Sequence, residues 1–386
     1  MSILNFFRRK EKRSLDVDFS IMDGASPLPY ASRPHAAESL AAVFGCVQAI
    51  SSAISALPVR IYENAGKARH EVLNSKMTGL IHRGPNPYQT MPEFLEFLTA
   101  QILLWGNALV EIIGNKRGEV EQLRIVPWNS VNVQMLKNGR LAYDVYPTTD
   151  IWTSTQGKIR RLLQGEVIHI RDRSDDGIVG RSRLQRAAAV IRSAKIVHDF
   201  ATSSFENGMF PSGVVTTDGK LAVEVRERLQ SSLSKGFSGP RKAARTLVLD
   251  NGLRFQQMSA ISPEDAELLE SRKWTVEEIC RIFMVPPPIV QSYQFNTFTN
   301  SEQAGRWFAQ FCLLPLVRKI ECAFNAALWP DGQYELDLDM TGFDRGDPAI
   351  RWQNHSIAIS NGILSVDEVR EEEGYGPRVK VQDGIR

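Results

Sequence analysis

The sequence is poor in the residues that most often carry chemistry. Four cysteines and six histidines are spread over 386 residues. None stands at metal-ligand spacing, and there is no CxxC pair, no HExxH and no GxxxxGK[ST] phosphate loop. Gly180-Arg181-Ser182-Arg183-Leu184 misses a nucleophile elbow because Leu184 stands where the last glycine belongs. No enzyme site, cofactor or metal is therefore expected. A strong charge of either sign is missing as well. The formal net charge is +2, so bulk charge does not hold nucleic acid here.

An uninterrupted membrane-spanning run is also lacking. Ser39 to Val59 is apolar over about twenty residues, enough to cross a bilayer, but Gln48 and several serines break it and Leu57-Pro58 ends it. It reads as a buried core helix, apolar nearly all round. At the N-terminus Ile3, Leu4, Phe6 and Phe7 precede Arg8-Arg9-Lys10, the reverse of a signal peptide and too short for one. No membrane partner is expected. Cys46, Cys280, Cys312 and Cys322 all sit in apolar helical contexts and read as buried small hydrophobes in a reducing compartment.

What the sequence does hold centres on Ser262 to Leu328. Ser262-Pro263-Glu264-Asp265 is a helix start, with Pro263 suited to the first helical position. The helical pattern runs through Leu268, Leu269, Val276, Ile279 and Phe283 and stops at Pro286-Pro287-Pro288, which lack amide protons. Gln291 to Thr299 is polar and aromatic without period. Thr299-Asn300-Ser301-Glu302 has the form of a capping box and opens a helix carrying Trp307, Phe308, Phe311, Leu314, Ile320, Phe324 and Leu328. Pro315 lies inside that helix, where its ring should kink it.

Elsewhere the chain alternates short strands and helices. Met1 to Ala37 reads as an arm whose basic run Arg8 to Arg13 is a solvated tail. Val59 to Tyr62, Ala108 to Ile113, Leu123 to Val126, Val131 to Met135 and Glu166 to Ile170 read as strands, and Thr90-Met91-Pro92-Glu93 as a capping box. His169, alternating within a strand, reads as a satisfied sheet histidine. Arg181 to Asn207 reads as one long helix with Leu184, Ala187, Ile191, Ala194 and Ala201 at seam spacing. A small α/β insertion follows, with a basic loop at Arg241, Lys242 and Arg245 and a hairpin signal at Asp250-Asn251-Gly252. After Trp329-Pro330 come a strand, Tyr334 to Leu338, and two helices. Asp337 and Asp339 on that strand read as an exposed acidic face.

WTVEEICRIFMVPPPIV followed by TNSEQAGRWFAQFCLLPLVRKIECAFNAAL resembles the portal proteins of tailed bacteriophages of the HK97 type. AAVFGCVQAISSAISALPVRIYE, LLWGNALVEII, IVPWNSVNV, GEVIHIR, DGIVGRSRLQRAAAVI and NGILSVDEVREEEGYGP resemble further segments of that family, in order, over about Glu38 to Pro377. The resemblance implies an α+β portal fold: arm 1–37, mixed α/β wing 38–180, stem helices 181–207 and 262–284, clip 208–261, channel loop 285–299, kinked helix 300–329 and a C-terminal wing or crown segment 330–386. It implies a homo-oligomeric ring, usually of twelve, at one capsid vertex. Its partners would be the major capsid protein, the terminase large subunit, a head-tail connector and double-stranded DNA passing without sequence specificity. Assembly would take place in the host cytoplasm.

The same resemblance assigns roles to residues. Val290, Gln291, Tyr293, Gln294, Phe295, Asn296 and Phe298 would form the channel loop. Glu264, Glu267 and Glu270 crowd the start of the second stem helix and in such a ring would face the channel, the alternative being compensation of the helix dipole at that N-terminus. The Leu184-to-Ala201 series would be a subunit seam, the alternative being the face of an ordinary core helix, and Arg241, Lys242 and Arg245 would be partner contacts on the clip, the alternative being a solvated loop. The competing reading is a hydrolase or nuclease on the α/β segments, which would need a pocket of clustered polar residues.

Overall fold

The computed structural model describes residues 20–21, 33–65, 68–147, 159–206, 213–216, 223–225, 227–228, 254–257, 264–292, 298–344, 348–373 and 375. The first strand, β1 (Ser20–Ile21), is an edge, and helix α1 (Pro34–Glu38) leads through a break at Ser39-Leu40 into α2 (Ala41–Ser55). The expected helix from Glu38 to Leu57 is thus α2, which begins three residues later and ends two earlier, with α1 a separate turn ahead of it. Val43, Cys46, Val47, Ile50 and Ile54 bury one face of α2. Its opposite face is open: Phe44 is 54% exposed and Gln48 is exposed too, so α2 is amphipathic rather than buried all round.

Pro58 ends that segment, and β2 (Val59–Ala65) and β3 (Ala68–Glu71) form an antiparallel pair that the late strand β12 (Tyr334–Leu338) joins on the other side of β2. Asp339 and Asp337 meet Arg60 and Arg69 there, at 3.0 and 4.0 Å. The acidic face expected on β12 is therefore paired with arginines. Ser75 caps α3 (Lys76–Arg83). The Thr90–Glu93 box starts α4 (Met91–Trp105), the Thr90 amide donating to Glu93 Oε2 at 2.7 Å. Gly106 closes α4 in the left-handed region, at φ 78°.

A second antiparallel sheet places β4 (Asn107–Gly114) between β5 (Val120–Val126) and β9 (Val167–Arg171). A third runs β1, β6 (Val131–Met135), β7 (Leu141–Val145) and β8 (Arg160–Leu163) in spatial order. Its interior holds a bidentate ion pair, Arg161 to Asp144 at 2.6 and 2.8 Å, with Gln134 accepting from the same guanidinium. A small core of Leu109, Trp128, Val133, Tyr143 and Val167 lies between these two sheets, and a larger one gathers around α2 and α4.

The expected helix over 181–207 is interrupted. Ser182 caps a single turn, α5 (Arg183–Arg186), and Ala187 at φ −103°, ψ 24° separates it from α6 (Ala188–Glu206). Helix α6 packs along α7 (Glu264–Phe283). Between their far ends the described residues include one antiparallel pair, β10 (Gly213–Thr216) with β11 (Arg254–Gln257).

After α7 comes a 3-10 turn, Pro287–Val290, then α8 (Phe298–Trp307), a π-helical segment Phe308–Leu313 and α9 (Leu314–Leu328). Pro315 is the second residue of α9, directly after the π-helical segment, so it lies inside the continuous helical run as expected and removes one of its backbone donors. The sequence led to the expectation of a clash inside a regular helix. The chain instead widens to i→i+5 bonding just before the proline, the usual way a helix absorbs a local irregularity. After β12 follow α10 (Thr341–Asp344), α11 (Pro348–Ser360) and α12 (Val366–Glu372), the last opened by a reciprocal Ser365–Glu368 box. Cys46, Cys280 and Cys312 are buried, whereas Cys322 on α9 is exposed, against the expectation for all four.

Candidate functional site at the junction of the long helices

The roots of the two long helices meet at one point of the body. Gly106 and Gly180 cross so closely that a Cβ on Gly180 would overlap the Gly106 carbonyl; only glycine permits that approach. Asn107 clamps the crossing. Its Oδ1 accepts from the Gly180 amide at 2.7 Å and its Nδ2 donates to the Gly180 carbonyl at 2.7 Å. The same Oδ1 accepts from His169 Nε2 at 3.1 Å, which leaves His169 Nδ1 to accept from the Tyr143 hydroxyl at 3.2 Å. His169 stacks on Trp128. Burial, with Arg171 nearby, pulls its pKa down to about 3, so the ring is neutral and serves as a brace.

One step along the chain lies Asp172. Its amide donates to the Gly106 carbonyl at 2.8 Å. Its carboxylate receives Arg183 Nε on Oδ2 at 3.1 Å and Lys319 Nζ on Oδ1 at 2.9 Å. Burial alone would push this carboxyl up; the Arg183 charge, with Lys319, overcomes that and holds it below the usual carboxylate range. Arg183 Nη1 reaches on to the Phe283 carbonyl at 2.7 Å, which also accepts from Cys312 Sγ at 3.4 Å. A cation thus sits on the C-terminal end of α7, where the helix dipole favours it. Through Asp172 the end of β9, the start of α5, the end of α7 and the composite helix α8–α9 are tied at a single ionic point.

Directly beyond, the chain turns twice with non-glycine residues at positive φ, Met284 and Gln291, both at 62°. Met284 ends α7 in a Schellman turn, the Val285 amide donating to the Cys280 carbonyl at 2.9 Å. The turn Pro287–Val290 then packs on α2, with Val290 lying over Gly45, before Gln291 and Ser292 close it onto Pro288 and Pro287. Val290, expected in the channel loop, therefore lies in a turn packed against α2. Gln291 and Ser292 complete that turn. Tyr293, Gln294, Phe295 and Asn296 lie outside the described residues; Phe298 is the first residue of α8, one before the expected box at Thr299.

The other expected residues are placed as follows. Glu264, Glu267 and Glu270 lie on α7, with side chains outside the described residues. Leu184, Ile191 and Ala194 are buried in the chain's own core, at 0%, 0% and 3% exposure. Those three side chains cannot be a seam between copies, because their partners are intramolecular. Ala187 is the partly buried break between α5 and α6; the side chain of Ala201 and the loop of Arg241, Lys242 and Arg245 lie outside the described residues. The junction itself was not foreseen. The turn glycines Gly106 and Gly180 were visible, but Asp172 and Lys319 are 147 positions apart and no local pattern links them.

Two further features bear on chemistry. A cavity of about 860 Å³ opens between β9 and α9, lined largely by apolar atoms; of its cations Arg140, Arg171 and Lys319, the last two are engaged with the Gly177 carbonyl and Asp172. Among the described residues no group of three His, Cys, Asp or Glu could hold a metal ion, and no helix is long and apolar enough to cross a membrane.

The architecture is that of a mixed α/β body carrying two long packed helices with a small inserted sheet, followed by a turn, a loop and an interrupted helix. A family model described as phage portal protein matches residues 41–374, and the chain belongs to that family. It is 28% identical over 359 residues to the probable portal protein of Streptomyces phage phiC31, covering 91% of this chain and 77% of that one. It is 27% identical over 346 residues to the portal protein of Enterobacteria phage HK97, covering 88% and 79%. Its fold is similar to a chain in the neck of a native gene transfer agent particle computed with C12 symmetry, at TM-score 0.65 and 24% identity over 94% of this chain and 97% of that one. The HK97-type resemblance and the α+β portal fold expected from the sequence are both met.

Proposed function

We propose that the protein is a portal subunit which closes into a ring of twelve at one vertex of a phage capsid, with double-stranded DNA entering and leaving along the axis. Family membership over residues 41–374 carries this reading, and the likeness to a neck chain computed with C12 symmetry supports the ring number. In this reading 38–180 is the wing, α5–α6 and α7 are the stem, 208–261 the clip and the segment after Gln291 the channel loop. The clip, with Arg241, Lys242 and Arg245, would dock the terminase large subunit and later a head-tail connector, and the wing would seat against the major capsid protein. The protein would act as a conduit and not as an enzyme; the work of DNA movement would come from a separate ATPase.

The Asp172 junction gives that role a physical basis. A conduit must resist load along the stem without letting it shear from the wing, and a buried carboxylate that ties four elements resists such sliding. The near-neutral balance of +2 and the carboxylates Glu264, Glu267 and Glu270 on α7 suit a passage that DNA does not stick to. Negative-stain images with light scattering of the purified chain test the reading. Rings with a central hole are expected; compact monomers across a range of concentration and salt would overturn it.

A further inference from the structure

The composite helix α8–α9 buries one side and leaves an apolar stripe on the other. Phe308, Cys312, Leu313, Leu316 and Val317 face inward at 5% exposure or less. Trp307, Phe311 and Leu314 face outward at 65%, 55% and 38%, spaced four and three residues apart, so they form one ridge. Trp307 and Phe311 hold each other edge to face, their centroids 5.5 Å apart. Exposed Arg306 and Arg318 flank the ridge, Arg318 also pairing through one Nη with Glu321 at 3.0 Å. Side chains of this size gathered on one stripe mark a contact surface rather than ordinary exposure.

A second surface, of complementary character, lies across the core on the outer side of the α1–α2–α4 layer. There a shallow groove of about 260 Å³ is bordered by Phe44, Phe97, Ala100, Glu38, Glu93 and Glu96. Phe44 stands open at its edge, and the three carboxylates give it a negative rim. An aromatic ridge with cations beside it thus faces one way, and an apolar groove with anions beside it faces another. A closed ring of identical copies needs two such different, mutually fitting surfaces on each subunit, since each contact is head to tail.

We infer that the outer ridge of α8–α9 on one copy seats in the Phe44 groove of the next copy and forms part of the ring interface; this rests on the portal reading above. A second copy is the occupant the observations favour, because the charge signs of the two surfaces match each other and both are carried by every subunit. Double-stranded DNA would be repelled by the carboxylates of the groove, and on the helix it could use Arg306 and Arg318 but not the apolar ridge between them.

The test uses the full chain in a Cys322→Ser background, which removes the exposed thiol while the other three cysteines stay buried. Phe44→Cys and Phe311→Cys are combined on one chain and treated with a short bis-maleimide. A ladder of covalent multimers is expected, whereas either cysteine alone should give no more than background. Phe311→Glu is expected to reduce the ring fraction at least tenfold while the thermal melt of the subunit stays unchanged, since Phe311 is exposed. Rings that form without a ladder and survive Phe311→Glu would overturn this interface and leave the portal reading standing. If the unsubstituted chain forms no rings under the same conditions, the portal reading falls and the interface with it.

Discussion

Replacing Asp172 by asparagine keeps the size of the side chain and removes its charge. Arg183 and Lys319 would then face a neutral amide. The Asp172 and Arg183 side chains are 6% and 18% exposed, so Arg183 would stay largely desolvated, while the Lys319 side chain, 41% exposed, would recover water. Breaking a buried ion pair from one side costs about 3–5 kcal/mol, and the wet lysine arm puts this site near the lower end, about 3 kcal/mol. With an unfolding entropy of roughly 2.1 cal/mol/K per residue, that is a fall of about 4 °C in Tm if the chain melts as one unit. The difference should depend on pH in a defined sense. The folded-state pKa of Asp172 lies below its ordinary value, so its contribution is complete above about pH 4 and is lost as pH falls through the folded value. The gap between wild type and Asp172→Asn should therefore be constant from neutral pH to about pH 5 and close in stronger acid. His169, with its pKa pulled down to about 3, also removes stability as pH falls below about 6.5. That loss is common to both chains and cancels in the difference. Melts followed by circular dichroism across this range decide the matter. Equal Tm at neutral pH, or a gap that does not narrow in acid, would refute the assignment of Asp172 as the tie between the long helices.

Three other outcomes are expected. Ala194→Leu adds volume to a site only 3% exposed inside the subunit and should destabilise the monomer itself by ~1–3 kcal/mol, seen as a lower melt alongside light scattering; an unchanged melt would remove Ala194 from the intramolecular core. Met284→Gly relieves a positive φ at an exposed helix end and should raise stability by up to about 1 kcal/mol; a drop would mean the Met284 side chain holds a contact. Deleting Gln294 to Thr297 shortens the chain between Ser292 and the start of α8. Rings should still form, with DNA packaging or retention impaired in a reconstituted particle, and loss of the rings would make the loop structural.

Local signals in the sequence were enough for the elements whose cause is local. Period-two alternation gave β6 and β12 to the residue, and capping boxes gave the starts of α4 and α12. The triple proline gave the end of α7 within three residues. These features depend on neighbours a few positions apart, so the chain order displays them directly. The family was equally legible, because its segments recur in order along the chain. What only the tertiary structure decided depends on partners remote in sequence. Ala187 breaks a helix whose seam spacing read as continuous, because α5 is held at the glycine crossing while α6 follows α7. Leu184, Ile191 and Ala194 have the spacing of a seam, yet their own core takes them up, and spacing alone does not say which surface fills it. Cys322 and Phe44 look as buried as their helical neighbours until the packing direction of each helix is known. Asp172 carries no motif at all: an ionic tie is defined by the carboxylate and the cations that meet in space, and Arg183 and Lys319 reach it from separate parts of the chain, Arg183 going on to the Phe283 carbonyl.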